Sequence, residues 1–164
     1  MPSYNNKYYS FERYAQATFD SVFTNEQIAK AHKLKASELR SGLLKNNGNG
    51  RFEFIPLPPE AQFAPLYGTH IEDINGDDNL DIMAVGNSFS AYYEYGEMDA
   101  LKGLILLGNG SSSFEAVHKT KDGFYCPGDA KGLTTVRQAG NETLLYIVTN
   151  NNDAPQFFKR TSAD

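Results

Sequence analysis

Asp73-Ile74-Asn75-Gly76-Asp77-Asp78-Asn79-Leu80-Asp81, followed at once by Ile82-Met83-Ala84-Val85-Gly86-Asn87, is the stretch on which the reading of this chain turns. Oxygen-bearing side chains recur at every second position, so one tight loop can wrap a hard cation, and Gly76 stands where the backbone must turn sharply. Asp73, Asn75 and Asp77 offer side-chain oxygens, Asn79 its main-chain carbonyl and Asp81 a closing carboxylate, a donor set suited to calcium. Carboxylates crowded in this way repel one another; a bound Ca2+ relieves the repulsion and stabilises the fold by linkage. The competing reading is a polar Asn/Asp/Gly hairpin turn, which needs fewer ordered oxygens than this loop supplies. An EF-hand requires a bidentate Glu at the twelfth loop position. That position holds Ala84, and Ile82-Met83-Ala84-Val85 reads as a strand entering a core.

Outward from the loop, the chain after residue 40 is punctuated by Asn-Gly, Gly-Asn-Gly and Pro, with short β-branched or aromatic runs between them, the pattern of strands joined by hairpins. A repeat lies within it. Leu44, Asn47, Gly48, Phe52 and Glu53 match Leu106, Asn109, Gly110, Phe114 and Glu115 without a gap, at an offset of 62 (114 − 52). Further on, Val85 and Asn87 match Val148 and Asn150 at 63 (148 − 85). Two anchors at nearly one period indicate a duplicated unit, and a unit of about 60 residues with several short strands suits a propeller blade. Each small sheet buries its apolar faces by stacking on a neighbour, and two units cannot close a ring. Moving the acidic loop forward by 63 lands on Val136, Gln138, Gly140, Glu142 and Leu144, so one calcium site is expected rather than two, with Gly140-Asn141 an ordinary hairpin turn.

Residues 1–40 differ in kind: they carry helical signals and few turn residues. Thr24 to Gln27 fits a capping box, and Ile28, Ala31, Leu34 and Leu39 follow at roughly helical intervals, predicting a helix over about 25–39. A second pattern, Phe11, Tyr14, Ala15, Phe19, Val22 and Phe23, precedes it. The expected architecture is mainly β: a helical N-terminal segment (1–40), then two blade units, about 41–103 and 104–164, making a partial propeller. With 164 residues, 40% hydrophobic and 21% charged, the composition is globular, and no apolar run reaches the ~20 residues of a membrane-spanning helix. A formal net charge of -5 and scattered basic residues argue against nucleic acid as a partner. The single cysteine, Cys126, excludes an internal disulfide framework.

Asn47-Gly48-Asn49-Gly50-Arg51-Phe52, paired with the downstream acidic loop, resembles the FG-GAP/VCBS repeat, the blade unit of integrin-alpha-type β-propellers. Pro56-Leu57-Pro58, Ala61-Gln62, Gly86-Asn87, Asp99 to Gly108 and Gly123 to Lys131 extend the similarity, from about residue 20 onward, to the C-terminal region of large VCBS-repeat proteins of Bacteroidetes-type bacteria. The resemblance implies calcium held at Asp73, Asn75, Asp77, Asn79 and Asp81. Asn75 replaces a more usual Asp there, lowering the charge of the cage by one. It also implies an extracellular or cell-surface location as part of an exported protein, although the N-terminus lacks the apolar core of a signal peptide. The implied role is a non-enzymatic binding or structural module, with the remaining propeller blades or a second copy covering its open faces.

Support for catalysis is thin. His32, His70 and His118 form no zinc spacing, and there is no nucleophile elbow or phosphate-cradling Gly-rich loop. Cys126 beside Pro127 reads as a structural thiol. Tyr92, Tyr93 and Tyr95, interleaved with Glu94 and Glu97, form a candidate ligand surface for a protein or glycan, since flat rings stack on sugars and anchor partners; packing across a hairpin is the alternative. Glu94 and Glu97 near Asp99 keep open a second function, an accessory or catalytic domain of a polysaccharide-degrading enzyme.

Overall fold

In a computed structural model of the chain, residues 8–90, 94, 96–117, 123–140 and 143–161 are described. The chain divides into two compact units, Met1–Leu39 and Arg40–Asp164.

Among its described residues the first unit holds three short helices, α1 (Phe11–Ala15), α2 (Phe19–Val22) and α3 (Asn25–Lys30), and none contains a buried residue. Thr24 caps α3 as the sequence predicts: the Gln27 N–H donates to Thr24 Oγ1 at 3.2 Å, and the Thr24 N–H to Gln27 Oε1 at 2.9 Å. The helix is shorter than expected. It stops at Lys30, Ala31 is extended, and Leu34 and Leu39 remain 85% and 88% exposed. An isolated helix of that length is marginal in water unless an apolar stripe is buried, and this stripe is not.

The second unit is mainly β, and its described residues form three antiparallel sheets. Strands β1 (Gly42–Asn46) and β2 (Phe52–Pro56) form a hairpin. A four-stranded sheet follows in the order β3 (Leu66–Glu72), β4 (Asp81–Gly86), β5 (Leu104–Gly108) and β6 (Phe114–Ala116). A three-stranded sheet has β7 (Ala130–Arg137), β8 (Leu144–Asn150) and β9 (Gln156–Lys159). None of these sheets, among the described residues, closes on itself. The four-stranded sheet straddles residues 103 and 104, where the repeat offset alone divides the units. Within the described residues no helix is long and apolar enough to cross a membrane.

All six residues of β4 are buried. Strand periodicity sends Met83 and Val85 into a core shared with Phe124, Cys126, Tyr146 and Val148 of the second sheet's side. Ile82 and Ala84 enter a separate core with Ala61, Leu101, Leu104 and Leu106. The four-stranded sheet is therefore covered on both faces, which accounts for the unbroken apolar run after Asp81.

Hairpin registers correspond closely. The β3–β4 pairs Glu72↔Asp81 and Gly68↔Val85 have counterparts in β7–β8, Val136↔Leu145 and Gly132↔Thr149, each 64 residues on (132 − 68), so the matches of Val85 to Val148 and Asn87 to Asn150 expected at 63 are out of register by one: Val148 is the counterpart of Ala84 and Asn150 of Gly86. Both carry an irregularity at the same place, between Leu66 and Gly68 and between Ala130 and Gly132. The extra residues are Tyr67 and Lys131, and they meet: Lys131 Nζ lies 4.0 Å from the centre of the Tyr67 ring. Likewise Lys45↔Glu53 in β1–β2 corresponds to Leu107↔Glu115 in β5–β6 at an offset of 62 (115 − 53). Gly68 permits the close approach of the sheets, since a Cβ there would stand 2.5 Å from the Leu133 nitrogen.

Candidate metal centre

The acidic loop forms the tip of the β3–β4 hairpin. Asp73, half-buried at the end of β3, accepts three main-chain hydrogen bonds: from the Gly76 N–H at 2.6 Å, from Asp77 at 3.2 Å and from Asp78 at 3.0 Å. The Asp77 N–H also reaches Asn75 Oδ1 at 3.0 Å, and the Asn79 N–H donates to Asp77 Oδ1 at 2.8 Å. Side-chain oxygens thus organise the backbone from within, each accepting from an N–H a few residues on. Two residues take left-handed conformations, Gly76 at φ 86° and Asp78 at φ 63°. Gly adopts this conformation freely and Asp tolerates it, which is why the Gly76-Asp77-Asp78 order suits the turn.

Asp81 behaves differently from the other four. It is fully buried; Oδ2 accepts from the Ile74 N–H at 2.9 Å and Oδ1 from the Gly108 N–H at 2.8 Å. It ties the start of the loop and the end of β5 to the foot of β4. Asn75 Nδ2 donates to Asp77 Oδ2 at 3.1 Å, so a neutral amide meets a carboxylate where two carboxylates would repel. The Asp77 carboxyl is held below the ordinary carboxylate range, chiefly by the Asn79 N–H and then by the Asn75 amide. Among the described residues no three acidic, imidazole or thiol groups converge on one point.

The donor chemistry fits a hard cation. Asp73 and Asp77 offer carboxylate oxygens and Asn75 an amide oxygen, and Asp73 Oδ2 and both Asp77 carboxylate oxygens each accept a single hydrogen bond, which leaves each of them a lone pair for such an ion. An ion would take the place of the Asn75 Nδ2 donor at Asp77 Oδ2. At the positions 64 residues downstream of the loop, the Gln138 N–H donates to the Thr143 carbonyl at 3.2 Å, and Asn141 of the expected Gly140-Asn141 turn lies outside the described residues.

A second polar cluster carries no ligand-binding spacing in the sequence. Asn87, fully buried at φ 85°, donates through Nδ2 to the Leu101 carbonyl at 2.7 Å and the Gly128 carbonyl at 3.0 Å, and accepts from the Leu101 N–H at 3.0 Å. Lys131 Nζ lies 2.6 Å from Asp129 Oδ1 and donates to the Asn87 carbonyl at 2.9 Å. Burial pushes the Asp129 carboxyl up, but hydrogen bonds from Lys131, Asn151 and the Phe89 N–H, with the Lys131 charge, outweigh it and hold the carboxyl below its ordinary value. The Gly86-Asn87 and Gly128-Asp129-Ala130-Lys131 segments were the only sequence signals for this cluster, and they look like turns.

Tyr92, Tyr93 and Tyr95 lie outside the described residues. Cys126 is buried, and burial pushes its thiol up to about 12. At neutral pH such a thiol stays protonated and is a poor nucleophile. His70 Nε2 stands 3.3 Å from Glu72 Oε2, and the other oxygen of Glu72 accepts from the Tyr146 hydroxyl, so these groups link β3 to β8. Comparison with known protein families, with curated proteins and with solved structures finds no match to this chain.

Proposed function

We propose that this chain is a calcium-binding, non-enzymatic binding or structural module made of β-propeller-type blade units, working outside the cell or at its surface as part of an exported protein. The observation that carries the calcium reading is the Asp73 cradle: one carboxylate gathers three successive N–H groups and so holds Asn75 and Asp77 in a tight oxygen-lined loop. Asp73, Asn75, Asp77 and the Asn79 carbonyl contact the ion, and Asp81 anchors the loop from beneath.

The blade reading is supported by the direction of stacking. Tyr146 and Val148 occupy in β8 the positions of Ile82 and Ala84 in β4, and they face the four-stranded sheet as Ile82 and Ala84 face the next core. Equivalent faces therefore point the same way, a head-to-tail arrangement that closes only as a ring of more units. The surface location and the FG-GAP/VCBS assignment rest on the sequence resemblance.

Thermal melting in calcium and in chelator tests the proposal. At a hundredfold excess over Kd, calcium stabilises the wild type by about 2.7 kcal/mol, a rise of several degrees. Asp77→Ala, at an exposed loop position, removes that rise while leaving the melt in chelator nearly unchanged. A wild-type melt indifferent to both calcium and chelator overturns the proposal.

A further inference from the structure

The two larger sheets stop matching at β9. Tyr146↔Phe158 corresponds to Ile82↔Leu106, so Phe158 and Lys159 stand beside β8 where Leu106 and Leu107 stand beside β4. The outer edge of β5 is covered by β6, through Leu106↔Ala116, Leu107↔Glu115 and Gly108↔Phe114. Among the described residues no strand pairs with the outer edge of β9. An edge of this kind presents main-chain donors and acceptors that can template another strand.

What belongs on that edge is written in the other two hairpins. Glu115 faces the Leu107 position and is flanked by Phe114 and Ala116. In β1–β2 the equivalent of Leu107 is Lys45, and opposite it stands Glu53, flanked by Phe52 and Phe54. Both outer strands read Phe-Glu-apolar, and where the inner strand carries lysine that lysine stands opposite the Glu in register, the Glu53 carboxylate itself accepting from the Asn47 amide at 3.1 Å. Lys159 repeats the Lys45 situation without a described partner strand.

We propose that the β9 edge binds an extended polypeptide strand that carries Phe-Glu-apolar, added antiparallel with its Glu opposite Lys159. Main-chain pairing supplies the affinity, and the Lys–Glu pair together with the apolar residue opposite Phe158 sets the selectivity. The inference rests on reading the sheets as copies of one unit, and it is independent of calcium.

The test uses the full chain, labelled with 15N, and a capped peptide of Ser112–Val117 sequence as the probe. Addition of peptide shifts amides of Gln156–Arg160 saturably, in chelator as in calcium. Lys159→Glu weakens binding about three- to tenfold, and a peptide with Glu replaced by Lys recovers it on that variant. Shifts that are absent at millimolar peptide, that map away from β9, or that ignore the charge swap overturn the proposal. So does movement of the same amides on dilution alone, which would place a second copy of the chain there. Failure here with an intact calcium-dependent melt would leave the metal reading standing, and the converse outcome would leave the edge assignment standing.

Discussion

Asp81→Ala separates the anchoring acid of the loop from those proposed to face calcium. The wild-type carboxylate is fully buried and accepts two main-chain hydrogen bonds, from Ile74 at 2.9 Å and from Gly108 at 2.8 Å. A hydrogen bond to a charged group contributes roughly 1.5–3 kcal/mol, and its removal strands the donor, so the two together give a loss of about 3–5 kcal/mol. Against a domain stability of about 5–15 kcal/mol, that is a large fraction and lowers the melting temperature by roughly 10 °C or more. Urea unfolding followed by tyrosine fluorescence, in chelator and in calcium, measures it. Because the lost bonds run to backbone and not to an ion, the loss persists in chelator. A deficit below about 1 kcal/mol in chelator, or one seen only with calcium present, would refute the anchoring role and make Asp81 a ligand first.

Other consequences are open to simple measurements. Asp129 has a folded pKa below its unfolded value, so its stabilisation is fully present above the ordinary carboxylate range and is lost as pH falls through the lowered folded value. Unfolding free energy should therefore drop on acidification, and Asp129→Asn should flatten that drop while costing about 1–3 kcal/mol at neutral pH; an unchanged pH profile counts against the assignment. Gly68→Ala puts a Cβ 2.5 Å from the Leu133 nitrogen and 2.8 Å from the Gly132 carbonyl carbon, both backbone atoms of the facing sheet. The sheets must part, at a cost of about 1–3 kcal/mol in a chemical melt. Cys126 should resist a thiol reagent at neutral pH in the folded chain and react on denaturation, because its thiol is buried and raised to about 12.

What the sequence discloses depends on how local the cause is. The Asp73–Asp81 loop was legible because its hydrogen bonds close within a few residues, from Asp73 to Asp78, and β4 because an apolar run bounded by turns needs only a period of two. The anchoring role of Asp81 was not, since its second partner, Gly108, lies on β5, and spacing at every second residue does not say which way an oxygen points. The repeat offset gave a period without a phase. Residues 87–103 connect β4 to β5 inside one sheet, whereas 151–155 suffice between β8 and β9, so the division at 103/104 cuts a hydrogen-bonded sheet. The cluster of Asn87, Asp129 and Lys131 was hidden for a related reason: buried polar residues that satisfy distant carbonyls have the composition of a surface turn. In residues 25–39 the capping box told the truth about where the helix starts. Helical spacing of Ile28, Ala31 and Leu34 misled about its end, because periodicity predicts a helix only where something covers the stripe.

Strand β4 contributes alternate side chains to two separate cores, Ile82 and Ala84 to one, Met83 and Val85 to the other. A party wall of this kind couples the rooms on either side. Neither layer can loosen without exposing apolar surface that the other needs, so amide protons of β4 should be the last in the chain to exchange with solvent, and they should do so at the rate of global opening. Loss of either core would therefore reach the acidic loop through the same six residues, Asp81 among them.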